Sequence, residues 1–570
     1  MRLIIGQYLA SLAERDELDA ILPDLLSQLG LLVFSRPGRG TRQQGVDVAA
    51  VGRLDREPEA VHLFTIKAGD LTRQNWSGSA VQSLRPSLEE ILDSYIPNRI
   101  PVEHQGKPVA VHIVLSGDVR EQVSEQLEGF KKQAAARSGV TIDNWNGDVL
   151  AKRIEECFLR EELVPKDARV HLRKSLALLE EPDVSYQHFA VLIRSLGAVD
   201  VRKPAKSLRA LRQMSVCLWI LFAWARDADN LEAAYLSSEL ALLHGWLIVR
   251  AYMGRTSKQA GGIQAAFLSL FSTYQTICSE FLSTNVLPHV GKSHALSCAV
   301  RGSSSLDINL KLFDILGRVA LDGIWAYWLA LRYPDREADA KERALAETMS
   351  LMTSTTELVW NNPALLLPIR DDQAIDLAMA MLLLAFDPAN YADMTRCLRE
   401  MIQRATFAYQ THGRYPCALR SYEDLLDHPK ASDDEYRREV TSGSILYPTI
   451  GLWAALLGDG DTYSAIAELK NEHMGHCNFQ LWYPDEESES KLYPGDVAHG
   501  KVLCDVCVDR PPQELLEQVF GECDSSPEFR ELSAVRYGWW PLILVACRHY
   551  RLPVPPHLLE GLRPVSDGAS

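Results

Sequence analysis

Residues 45–52 read GVDVAAVG and residues 61–67 read VHLFTIK. Both are short runs rich in β-branched and small apolar residues, separated by a polar loop, and that spacing predicts an antiparallel hairpin. Asp47 and Lys67 are polar residues set among apolar neighbours. Strand alternation therefore predicts that each projects from the polar face of its strand toward a common point.

Working outward, Tyr8 to Leu29 has helical spacing of leucines, with Glu14, Asp16 and Glu17 on the other side and Pro23 as a point of interruption. A turn-rich segment, SRPGRGTRQQ at 35–44, leads into the first strand. After the hairpin, Val81 to Tyr95 is again helical in period, and the run VAVHIVLS at 109–116 reads as a crossover into a further strand. A helix over about Arg120 to Arg137, the strand VTIDNW at 140–145 and a helix starting near Val149 behind an Asn146 cap complete the segment. The predicted order is helix, strand, strand, helix, strand, helix, strand, helix, an α/β unit.

An aspartate and a lysine converging from adjacent strands suit metal-dependent cleavage of a phosphodiester. Carboxylates hold Mg²⁺ or Mn²⁺, the ion polarises a phosphoryl oxygen and acidifies a water, and the lysine positions that water and offsets charge. The bland alternative is an exposed Asp47–Lys67 ion pair, worth little energetically. Arg73, Gln74, Trp76 and Arg85 follow the second strand, where they would meet phosphates and stack a base, or else form a polar helix cap with a docking tryptophan. Arg36, Arg39 and Arg42, interleaved with glycines before Asp47, form either a phosphate clamp or a solvated loop.

The motif and the element order together resemble the PD-(D/E)XK restriction-endonuclease-like superfamily over about residues 1–165. The resemblance implies Asp47 as a metal ligand, Lys67 as the motif lysine and the main-chain carbonyl of Ile66 as a further ligand. Thr65 stands where that family carries an acid. A second carboxylate would then come from Glu17 or Glu14 on the first helix, or from Asp70. The departure at Thr65 also carries the competing expectation, a catalytically inactive nuclease fold serving as a nucleic-acid- or protein-binding scaffold.

From about Arg173 onward, strand-like alternation gives way to long apolar-periodic segments: Leu208 to Ala225, Leu231 to Met253, Gly262 to Leu282, Leu306 to Leu331, Arg343 to Val359 and Ile375 to Ala385. Beyond about Thr411 the composition shifts toward Pro, Gly, Tyr, Trp and His. The expected fold class is α+β multidomain: a restriction-endonuclease-like α/β domain over 1–170, then a large, mostly α-helical region divided into 171–410 and 411–570. Fusions of a nuclease to a helical sensing or partner-binding region resemble antiviral defence effectors.

The whole chain of 570 residues carries 75 acidic and 59 basic side chains, a formal charge of -16, which excludes coating nucleic acid through bulk electrostatics. Any nucleic-acid contact, with DNA favoured over RNA, is therefore local. A partner protein would engage the helical region, and a homo-oligomer would suit cleavage of both strands. Eleven cysteines, scattered apart from Cys504 and Cys507, do not read as a disulfide framework, which with the unremarkable N-terminus gives a cytoplasmic expectation. The longest apolar runs, such as Val216 to Ala225, fall short of the roughly twenty residues that span a bilayer, so no membrane partner is expected. Gly291-Lys292-Ser293 lacks the earlier glycine of a phosphate-binding loop. Cys504 and Cys507 with His473, His476, Cys477 and His499 do not make a matched zinc set.

Overall fold

In the computed structural model, residues 18–35, 44–54, 57–77, 83–158, 166–300, 304–334, 337–429 and 433–564 are described. The N-terminal part is built on one five-stranded sheet whose spatial order follows the chain, β1 to β5. Helix α1 (Asp19–Gln28) precedes β1 (Leu32–Ser35), β2 (Val48–Gly52) and β3 (Ala60–Lys67). Helices α2 (Arg73–Ser77) and α3 (Leu84–Glu90) lead on to β4 (Val109–Leu115), α4 (Glu121–Ser138), β5 (Thr141–Trp145) and α5 (Gly147–Phe158). β1–β2 and β2–β3 pair antiparallel, with Val48 opposite Phe64 and Gly52 opposite Ala60. β3–β4 and β4–β5 pair parallel.

The predicted hairpin and both later strands are therefore present, and β1 is an added strand. Pro23 lies inside α1, and the Ser27 hydroxyl donates to the Pro23 carbonyl at 2.8 Å. Asn146 caps α5 by accepting the Val149 N–H at 3.0 Å. Gly139, at φ +67°, ends α4 in the left-handed conformation that glycine adopts without strain.

β3 sits mid-sheet, and seven of its eight residues are buried, as expected of a strand covered on both faces. One face carries Val61, Leu63, Val111 and Ile113 against Trp76, Leu84, Leu88, Val123 and Leu127 from α2, α3 and α4. Alternation puts His62, Phe64 and His112 on the opposite face. There Phe64 stacks on His112 at 4.7 Å and meets Trp145 edge-on.

His62 Nδ1 and His112 Nε2 lie 3.0 Å apart, so one proton bridges the two rings. Burial pushes the His62 ring below its ordinary value of 6.5. A histidine depressed in the folded state leaves stability untouched at high pH. As pH falls through the unfolded value, the unfolded chain takes up a proton that the native state refuses, and stability is lost. Urea midpoints should therefore fall between pH 7.5 and 5, and His62→Gln should flatten that slope.

The chain divides into two compact units, residues 1–274 and 275–570. The boundaries expected near 170 and 410 do not coincide with this division. The change of composition near 165 marks a change from sheet to helix, while the helices that follow still pack with the first unit. Pro182–Gly197, Pro204–Asp227 and Glu232–Val249 pack on one another, and Pro204–Asp227 also touches α5.

In the second unit, Ser305–Arg332 packs against Ala338–Asn361, Ala374–Leu384 and Pro541–Tyr550. Two small two-stranded sheets, Gly443–Ser444 with Asn478–Phe479 and Leu481–Tyr483 with Lys501–Leu503, interrupt a C-terminal half that is otherwise mostly helical. Among the described residues, no helix is long and apolar enough to cross a membrane.

Candidate functional site at the hairpin

The geometry around Asp47 begins with Gly45. At φ +80° it occupies backbone space that disfavours a side chain, and a Cβ there would lie 2.3 Å from the Ser87 carbonyl oxygen on α3. The glycine of the G-V-D run thus lets the turn press against α3 and delivers Asp47 to the foot of β2. Asp47 donates its main-chain N–H to the Phe64 carbonyl at 2.8 Å. Its side-chain Oδ2 accepts the Ile66 N–H at 2.7 Å. The carboxylate therefore sits at the peptide that joins Thr65 to Ile66, next to the residues predicted to share its site.

Thr65 is 1 % exposed and Ile66 fully buried, while Lys67 at the strand end is partly exposed. Thr65 and Lys67 lie on the same face of β3, the one that also carries Val61 and Leu63. A carboxylate and a hydroxyl are hard oxygen donors, the chemistry that suits Mg²⁺ or Mn²⁺ over a thiophilic ion.

The loops after β3, β4 and β5 meet at their carboxyl ends. Gly69 donates its N–H to the Ser116 hydroxyl at 2.7 Å, and Gly117 and Gly147 continue the chain of main-chain bonds. Asp70 belongs to this tie. Its Oδ1 accepts the Asp118 N–H at 2.8 Å and its Oδ2 meets Arg120 at 2.5 Å. The Asp118 N–H, and the Arg120 guanidinium after it, hold this carboxyl below its ordinary range. Both oxygens thus have protein donors, which makes Asp70 a fastening for the loops. A Cβ at Gly117 would lie 2.4 Å from Asp70 Oδ1, so the close approach depends on that glycine.

Trp76 does not offer a stacking surface for a base. It is 1 % exposed, packed in the core of the sheet's helical face with its ring edge-on to Phe130 at 5.8 Å. The polar residues around it line the solvent side of a five-residue helix whose inner side is the tryptophan. Trp76→Ala should cost about 3–5 kcal/mol of stability, read by urea denaturation. Arg73 and Gln74 are exposed on the same short helix. Arg85 is also exposed, and its Nε donates to Glu89 at 3.0 Å.

Glu17 and Glu14, together with Arg36, Arg39 and Arg42, lie outside the described residues. Arg120, the basic residue fixed beside Asp70, was not singled out by sequence, since its partner stands fifty residues away. The cysteine and histidine set around Cys504 and Cys507 is dispersed over separate bonds. His476 pairs with Thr441, His499 with Ser488 and His473 with Gln410, while Cys504 is exposed. No family model matches the chain, and no curated protein or solved structure matches it either.

Proposed function

We propose that the N-terminal unit is a metal-dependent nuclease of the PD-(D/E)XK type, acting on DNA, with the helical remainder as a sensing or partner-binding region. The observation that carries this reading is the Asp47 carboxylate seated on the Ile66 N–H, between Thr65 and Lys67. The sheet supports it: an antiparallel hairpin bearing the motif, then a helical crossover to a parallel strand. Asp47, Thr65 and the Ile66 carbonyl are the oxygen donors toward Mg²⁺ or Mn²⁺, and by the resemblance Glu17 would add a carboxylate. Mg²⁺ commonly takes only one or two protein carboxylates and completes its shell with water and substrate phosphate, so a site with few acids suits it.

When bound, the ion polarises the phosphoryl oxygen and acidifies a water. Lys67 positions that water for in-line attack at phosphorus and offsets the charge that builds on the phosphoryl oxygens as the P–O bond to the leaving group breaks. Arg73 and Gln74, exposed on α2, would meet flanking phosphates.

The test incubates the purified chain with plasmid DNA and with single-stranded RNA, with Mg²⁺ or Mn²⁺, alongside Asp47→Ala and Lys67→Ala. Metal-dependent cutting of the plasmid that both variants lose is the expected result. Cutting retained in both variants would assign it elsewhere. The buried Thr65 hydroxyl in place of an acid favours a second reading, a binding scaffold without catalysis, for which nucleic acid would be retained but never cut.

A further inference from the structure

We propose that Cys523, His557 and Glu560 form a binding site for a thiophilic divalent cation, with zinc matched best by the donors. One ligand atom from each residue lies within 4.8 Å of the other two. Cys523 is on the helix Pro512–Ser525, close to its end. His557 and Glu560 are three residues apart on the 3₁₀ helix Pro556–Leu562, where side chains at i and i+3 eclipse one another. That spacing aims both at the same side, toward the cysteine.

The second observation is what the histidine and glutamate lack. His557 is 4 % exposed, and its Nε2 lies 3.3 Å from the Ser526 carbonyl oxygen. A ring that donates its Nε2 proton there presents Nδ1 as a lone pair, and Nδ1, beside the Cys523 main chain, is buried without a well-aligned hydrogen bond among the described residues. Glu560 Oε1 is likewise buried without a hydrogen-bond partner among the described residues. Two buried acceptors without well-aligned donors beside one thiol are costly, and a cation answers both at once. Metal-bound histidines commonly anchor their other nitrogen on a main-chain carbonyl, as the Ser526 contact does here. The ring is held further by stacking on Phe529 at 4.5 Å and by the edge of Tyr483 at 5.6 Å.

Thiolate, imidazole and carboxylate are all accepted by Zn²⁺, and three protein ligands leave a fourth position for water. Glu560 Oε2 points to Arg530 at 3.4 Å, and the glutamate side chain is 34 % exposed, which gives the ion a route from solvent. Metal binding to the Cys523 thiol would release its proton into solution.

The full chain, stripped with chelator and titrated with Co²⁺, should develop a sulfur-to-cobalt charge-transfer band that saturates at about one equivalent per chain and is lost when Zn²⁺ displaces the cobalt. Cys523→Ser should remove the band, and Glu560→Gln and His557→Gln should each weaken binding by at least about 10-fold. Cys504→Ser and Asp47→Ala should leave it intact, and circular dichroism checks that every variant is folded. Absence of any band in the wild-type chain would overturn the site, as would equal binding by Cys523→Ser and wild type.

Discussion

Asp47→Ala and Lys67→Ala should each lower the single-turnover rate of cleavage of a labelled duplex by at least about 10²–10³-fold, the scale of losing one preorganised electrostatic contact in a transition state. The expectation follows from the hairpin. Asp47 is fixed by two hydrogen bonds to β3, one through its own amide and one through its carboxylate. Its oxygens therefore need little reorganisation when a cation arrives. Lys67 ends the same strand on the face of Thr65, so removing its ammonium takes away positive charge at the site while leaving the strand in place. Lys67→Arg should rescue little, because a planar guanidinium on a different stem does not replace a point charge. Asp70→Asn separates the roles: it should loosen the loops after β3 and β4, and so lower stability, more than it lowers the rate per folded molecule.

The largest electrostatic effect on stability is expected in the second unit, at Asp314. Its Oδ1 accepts from Arg548 at 2.7 Å, and its Oδ2 accepts from Arg318 at 2.7 Å and from Lys311 at 3.3 Å. The Arg318 and Arg548 side chains are 1 % and 3 % exposed. Asp314→Asn removes the carboxylate charge that two buried guanidiniums share, and breaking such a buried pair costs about 3–5 kcal/mol. Asp461→Asn, at an exposed ion pair with Arg399, should cost no more than about 1 kcal/mol.

The pH dependence has a definite sign. Burial opposes ionisation of Asp314, and the charges of Arg318, Lys311 and Arg548 overcome it, holding the carboxyl well below the usual range. A depressed folded value gives stability that is fully present above the unfolded value and lost as pH falls toward the folded one. Wild type should therefore weaken steeply in acid, and Asp314→Asn should weaken less.

A neighbouring buried pair differs in sign, because burial outweighs the pull of Arg551 and pushes the Asp376 carboxyl above its ordinary range. Arg551, at φ +54° just past the helix Pro541–Tyr550, reaches Asp376 through Nη1 at 3.1 Å and Nη2 at 2.9 Å. Asp376 is 1 % exposed. Gly317 makes room for it, since a Cβ there would fall 2.3 Å from Asp376 Oδ1.

The β2–β3 hairpin was legible because two β-branched runs flank a polar loop, and the later strands because apolar runs stand between helical periods. β1 was not. It is four residues long, carries a register shift between Val33 and Ser35, and continues the apolar spacing of α1, so periodicity merges it with the helix.

At the site, the seat of Asp47 against β3 was legible because the pairing of adjacent strands is local information, but Thr65 and Lys67 share the face of Val61 and Leu63 that the helices cover, not the polar face that alternation suggested. The fate of Asp70 could not be read, because its partners sit 48 and 50 residues further on and meet it only when β4 lies beside β3. Trp76 misled for the opposite reason. Its polar neighbours in Thr72-Arg73-Gln74-Asn75 suggest a surface, yet a one-turn helix points a single side chain inward whatever surrounds it in sequence. The Cys523, His557 and Glu560 group has no spacing signature either, since 34 residues separate the thiol from the ring and only the 3₁₀ turn aligns the other two.

Iron-directed cleavage of the polypeptide tests the central claim most directly, that a divalent cation sits between the two strands of the hairpin. With Fe²⁺, ascorbate and peroxide, the wild-type chain should be cut next to Asp47 and across Thr65–Lys67. Excess Mg²⁺ should suppress those fragments, and folded Asp47→Ala should lack them. Fragments at neither strand, or the same fragments in Asp47→Ala, would contradict it.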